Sequence, residues 1–117
     1  MMKVYKFISK IEKDGTIKAV YDEALAEIKR MIMDIFKEEK VTVFLFGSRA
    51  TNRASPFSDI DIGIISTNKD TDKLLALLRE RIENSNIPYK VDVVNLQNTS
   101  EKFRKEALKG AKILWKN

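Results

Sequence analysis

Residues Phe44 to Ile65 read FLFGSRATNRASPFSDIDIGII. The pattern predicts a strand, a glycine-serine turn, a short helical connection and a second strand carrying two aspartates. On that strand Asp59, Asp61 and Gly63 fall two apart and share one face, while Ile60, Ile62 and Ile64 share the other. The isoleucine face is suited to a core. The acidic face needs an explanation, because two unit charges ~5 Å apart cost on the order of 3 kcal/mol at an effective dielectric of about 20. A divalent cation is the strongest offset for such a pair.

The turn supplies the complementary chemistry. Val41-Thr42-Val43-Phe44-Leu45-Phe46 is an apolar run suited to a buried strand. Gly47 after it permits a backbone conformation closed to other residues and a close approach of a ligand. Ser48-Arg49-Ala50 can open a helix whose first N–H groups face the strand end, an arrangement that binds phosphate. Ser48 adds a hydroxyl and Arg49 a charge. A phosphate cradle beside paired carboxylates is the equipment of phosphoryl or nucleotidyl transfer.

GSRA, with SDIDIGI placing its first aspartate twelve residues beyond the glycine, resembles the nucleotidyltransferase superfamily that includes DNA polymerase beta, and most of all its minimal nucleotidyltransferase (MNT) proteins. The resemblance covers residues Val41 to Leu96, about half the chain. Gly47, Ser48, Asp59 and Asp61 match the family's Gly-Ser and Asp-x-Asp positions, and Asp92 in KVDVV fits its third carboxylate by order and context. Asn52 stands where many relatives carry a second glycine, and asparagine tolerates the left-handed conformation better than most residues. The implied fold is α/β and polymerase-beta-like, a small mixed sheet with helices mainly on one face. The implied catalytic and metal-binding residues are Asp59, Asp61 and Asp92, holding two Mg²⁺ ions, with Mn²⁺ as a substitute. Gly47, Ser48 and Arg49 are the expected nucleotide contacts, for ATP or another nucleoside triphosphate. The resemblance further implies an antitoxin that adds AMP to a tyrosine of a HEPN-type toxin. The competing reading is a catalytically silent antitoxin or scaffold that neutralises its partner by binding alone.

The rest of the chain is consistent with such a site. A length of 117 residues suits one domain. The chain contains no cysteine and no histidine, which excludes disulfides, thiolate zinc sites and Ser–His–Asp or Cys–His machinery. Oxygen ligands remain, and these favour Mg²⁺ or Mn²⁺. Lys and Arg number 22 against 17 Asp and Glu, for a net charge of +5, which favours anionic partners. No basic run is interleaved with aromatics, so nucleic acid is not expected as a direct ligand. No apolar run approaches the ~20 residues of a membrane span, and the N-terminus has no signal-peptide core, so a cytoplasmic location is expected.

Around the motif, the spacing of Val20, Ala24, Leu25, Ile28, Met31, Ile32, Ile35 and Phe36 predicts a helix over 17–39, with Arg30 and Asp34 placed to pair along it. Residues 1–13 suit a short helix or an edge strand, ended at Asp14-Gly15-Thr16. A second helix is expected over 71–84, with Leu74, Leu75, Leu77, Leu78 and Ile82 inside and Asp72 in its first turn. A third strand is expected over 89–96. A last helix over 99–109 is capped by Thr99 or Ser100, turns Phe103, Ala107 and Leu108 inward, and stops at Gly110. Ile113-Leu114-Trp115 forms an apolar tail, left either to pack on the sheet or to meet a second copy or a partner.

Overall fold

A computed structural model describes residues 17–51 and 58–117. The expectations for 1–16 and for Asn52 lie outside the described residues. Helix α1 spans Ile17–Phe36. It buries Val20, Ala24, Ile28, Ile32 and Phe36, one residue every four, which is the spacing of a single helical face. It stops three residues before the expected Glu39. There the Asn117 side-chain amide donates to the carbonyls of Lys37 and Glu39, at 2.8 and 2.9 Å, satisfying groups that a longer helix would have bonded internally. Asp34 does not pair with Arg30. It accepts from Arg81 of the second helix at 2.7 Å, while Arg30 reaches back to Glu23 at 3.9 Å.

Strand β1 is Val41–Phe46, as the apolar run predicts. Strand β2 is Ile60–Ser66, one residue later than expected, so Asp59 precedes the strand. Helix α2 spans Thr71–Glu83 and strand β3 Val91–Asn95. Helix α3 spans Glu101–Leu108, with the Ser100 hydroxyl accepting from the Phe103 N–H. The apolar tail becomes strand β4, Lys112–Lys116. The sheet order is β3-β2-β1-β4. β1 runs antiparallel to both β2 and β4, and β2 runs parallel to β3, giving the mixed sheet expected.

Val41, Val43 and Leu45 of β1 and Ile60, Ile62 and Ile64 of β2 join α1 and the Leu75, Leu78 and Ile82 face of α2 in one core. Leu77 departs from expectation. It is 50% exposed, because it lies about 200° round the helix from Leu75. Asp72 is more than a helix-dipole charge, since it accepts from the side chains of Asn95 and Asn98 at 2.9 and 3.1 Å and so ties the start of α2 to the end of β3. The alternation that buries the isoleucines turns Thr42, Phe44 and Phe46 of β1, with Asp61 and Gly63 opposite them, toward the other face. Helix α3 lies against that face, with Phe103 edge-on to Phe46 at 6.5 Å between ring centres.

Candidate active site

The site forms where β1 ends and β2 and β3 begin. Phe46, the last residue of β1, is the register partner of Asp61, so the chain must turn beside that carboxylate. Gly47 makes the turn with φ +74°. A Cβ at residue 47 would stand 2.5 Å from Asp61 Oδ2, well inside contact distance. The turn therefore needs glycine both for its backbone and for the space that the carboxylate occupies. Gly47–Arg49 is a single 3₁₀ turn. The Gly47 carbonyl accepts from the Ala50 N–H at 3.1 Å and from the Thr51 hydroxyl at 3.3 Å.

Asp61 and Asp92 are register partners across the parallel β2–β3 pair. Both line a cavity of about 500 Å³ together with Phe46, Arg79, Val94 and Phe103. The Asp61 carboxyl is held above the ordinary aspartate range, first by burial and then by the negative charges of Asp92 and Asp59, with Lys90 acting in the opposite direction. Two of the sequence-predicted carboxylates thus act electrostatically on the third, Asp61. They are not equivalent, however. Asp59 is exposed and is absent from the cavity wall. Among the described residues, no three acidic side chains stand ready-made around a metal position. Asp61 and Asp92 are brought together by strand pairing, whereas Asp59, one residue outside the strand, is near them without sharing their wall. The donor set suits a hard cation, being all carboxylate oxygen with the charge of one member already disfavoured by the others.

Ser48 sits within the turn, half-buried. Arg49, expected as a nucleotide contact, is engaged within the protein. Its Nε and Nη2 both donate to the Ser58 carbonyl, at 3.3 and 2.8 Å. Its guanidinium lies 4.3 Å from the ring centre of Tyr21 and 5.1 Å from that of Tyr89, and the two rings meet edge-on at 6.0 Å. Arg49 thus joins the glycine turn to α1, to the approach to β3 and to the residue before Asp59. Burial raises both tyrosine hydroxyl pKa values, and the Arg49 charge opposes that rise.

Two features of the site were not foreseen from sequence. Phe103, expected inward, is 45% exposed and forms a wall with Phe46. Arg79 of α2 donates to the Val93 carbonyl at 2.6 Å, covering an outward group of the edge strand that carries Asp92. The Phe103 position had a weak signal, since it sits in the exposed first turn of an eight-residue helix. Arg79 had none, because its partner is a main-chain oxygen fourteen residues away.

Residues 28–117 match the family model described as polymerase beta, nucleotidyltransferase. A Haemophilus influenzae protein named as the protein adenylyltransferase MntA is 33% identical over 85 residues, 73% of each chain. Among solved structures, the chain is similar to one from a toxin–antitoxin complex with AMP-PNP (TM-score 0.53, 22% identity, covering 76% of this chain and 73% of that one). It is also similar to one from a complex of tri-AMPylated Shewanella oneidensis HEPN toxin with MNT antitoxin (TM-score 0.55, 19% identity, covering 80% and 73%).

Proposed function

Because this chain belongs to the polymerase beta nucleotidyltransferase family, we propose that it moves AMP from ATP to a hydroxyl of a partner protein, a tyrosine of a HEPN-type toxin, and so acts as the antitoxin. The observation that carries this reading is the pairing of Asp61 with Asp92 against a glycine turn that approaches Asp61 with no Cβ between them. The relative named MntA, and the solved complexes containing AMP-PNP and an AMPylated HEPN toxin, support the choice of nucleotide and partner.

Asp61 and Asp92, together with Asp59, would hold divalent cations, two Mg²⁺ in this reading. Bound there, the cations supply positive charge for the phosphate oxygens and acidify the acceptor hydroxyl. Gly47 and Ser48 present the turn's amides and hydroxyl to the phosphates. The acceptor oxygen bonds to the α-phosphorus as the bond to the bridging oxygen breaks. Pyrophosphate leaves with that electron pair, and the acceptor proton is lost to solvent. Arg49 serves as a positioning residue, holding the turn in register with the start of β2.

The experiment is incubation of the chain with α-³²P-labelled ATP, MgCl₂ and a HEPN partner. Label is expected on a partner tyrosine, and Asp61→Asn/Asp92→Asn should lower it at least ~100-fold. One observation favours the silent antitoxin as a second reading, namely that Asp59 stands outside the cavity wall. Neutralisation that persists in the double variant without any label establishes that reading and removes the transferase.

A further inference from the structure

Two cavities flank the Phe46–Phe103 pair. One, described above, holds Asp61 and Asp92. The other, of about 230 Å³, runs from Gly47 and Thr51 to Glu106 and Lys109, with Phe46 and Phe103 as the shared wall. Resting on the nucleotidyltransferase reading, we infer that this second cavity takes the β- and γ-phosphates and then the departing pyrophosphate, and that Lys109 is the cation that meets them.

The geometry divides the labour that the reaction requires. The α-phosphate must lie at the carboxylates, and the leaving tail must extend away from the attacking oxygen. Gly47, which comes so close to Asp61 that a Cβ there would stand 2.5 Å from its Oδ2, also lines the second cavity. A triphosphate tail there needs a positive partner, and Arg49 is already held by Ser58 and two tyrosine rings. Among the described residues lining the cavity, Lys109 is the basic one.

The lysine is carried to this place by the fold. Helix α3 ends at Leu108, and its last turn closes with the Lys109 N–H on the Glu106 carbonyl at 3.2 Å. Gly110 then reverses the chain at φ +77°, and a Cβ there would meet Thr51 Cγ2 at 3.1 Å. The α3–β4 reversal therefore packs on Thr51, whose hydroxyl bonds the Gly47 carbonyl. Beyond it, β4 is locked to β1, so Lys109 is anchored on both sides relative to the phosphate turn.

The ammonium is available for this role. Its side chain is 79% exposed and lies 3.7 Å from Glu106, itself 67% exposed. A pair of that kind contributes little and yields to a more highly charged phosphate. The surroundings reinforce the attraction. From Glu101 to Asn117 the chain carries six basic side chains (Lys102, Arg104, Lys105, Lys109, Lys112 and Lys116) and two acidic ones, Glu101 and Glu106. This segment alone therefore holds +4 of the chain's net +5, and its Lys109 lines the second cavity, where positive charge favours a polyanion.

The test is calorimetric titration of the full chain, in MgCl₂, with ATP, with pyrophosphate and with AMP. Lys109→Ala should weaken ATP and pyrophosphate about tenfold and leave AMP within twofold. Lys109→Glu should weaken the first two further, and Glu106→Gln should tighten them by freeing the lysine. Both positions are solvent-exposed, and unchanged melting temperatures will verify that the three variants fold. ATP and pyrophosphate affinities unchanged in Lys109→Ala overturn the inference and leave the transferase reading intact, and so does an equal loss for AMP. Failure of the wild type to bind any of the three overturns the transferase reading and the role of Lys109 with it.

Discussion

Gly47 and Asp61 compete for the same few ångströms. The left-handed backbone at residue 47 costs an L-residue roughly 1–2 kcal/mol, and an alanine Cβ would also stand 2.5 Å from Asp61 Oδ2. Gly47→Ala should therefore lower stability by more than that backbone cost alone and displace the carboxylate. A shift of about 1 Å in a reacting group is worth ~100-fold in rate, so label transfer should drop by at least that factor in a variant that still folds by circular dichroism. Asp61 makes the opposite trade. Its folded pKa is raised by burial and by Asp92 and Asp59. The ionised form therefore weakens the fold at neutral pH, and stability recovers as pH falls through the raised value. Asp61→Asn should melt higher than wild type at pH 7 while losing activity, and the gap should narrow toward pH 4. A melting series over that range, read as the difference between the two proteins, checks the sign. A variant that melts lower at pH 7 would contradict it.

At the scale of elements, the connection between the glycine turn and β2 is a strap made by one side chain. Arg49 bonds the Ser58 carbonyl through two nitrogens and contacts rings from α1 and from the approach to β3. A guanidinium fork is required for this, and an ammonium cannot reproduce it. Arg49→Lys, which keeps the charge, should lower kcat about tenfold with KM for ATP within twofold. A phosphate ligand would show the reverse split, with KM rising and kcat preserved. Strand β4 is the other element that conditions the site. By pairing outside β1 it makes β1 central, and it carries Leu114 and Trp115 onto the core while leaving Ile113 61% exposed at the edge.

Over the whole molecule, the sheet is held against α1 and α2 by a core whose side chains are nearly all aliphatic. Ile28 is a fully buried member of it. Ile28→Ala should cost about 2–5 kcal/mol, measurable as a lower urea midpoint with unchanged slope. The loss is a large share of the 5–15 kcal/mol typical of a domain. Among the described residues no helix is long and apolar enough to cross a membrane. The charge of the molecule is lopsided, concentrated in the α3–β4 segment beside the glycine turn, where phosphates are proposed to bind.

Much of this architecture follows from local rules and could be read from the chain alone. Four-residue spacing specified α1, an uninterrupted apolar run specified β1, and alternation put the isoleucines of β2 on one side and Asp61 on the other. The glycine-serine turn and the acidic strand were legible as a unit because they lie within one short stretch of sequence. What the chain could not disclose depends on neighbours distant in sequence. Asp61 and Asp92 are 31 residues apart and meet only through the register of a parallel pair. Arg49 was assigned to phosphate by its place in the motif, and the two tyrosine rings and the carbonyl that it meets converge only on folding. The tail at Ile113-Leu114-Trp115 was apolar without visible purpose, because a strand is defined by the partner it bonds. Periodicity is a property of one segment and survives in the sequence. Register, side-chain capture and strand order are relations between segments, and only the packed molecule determines them.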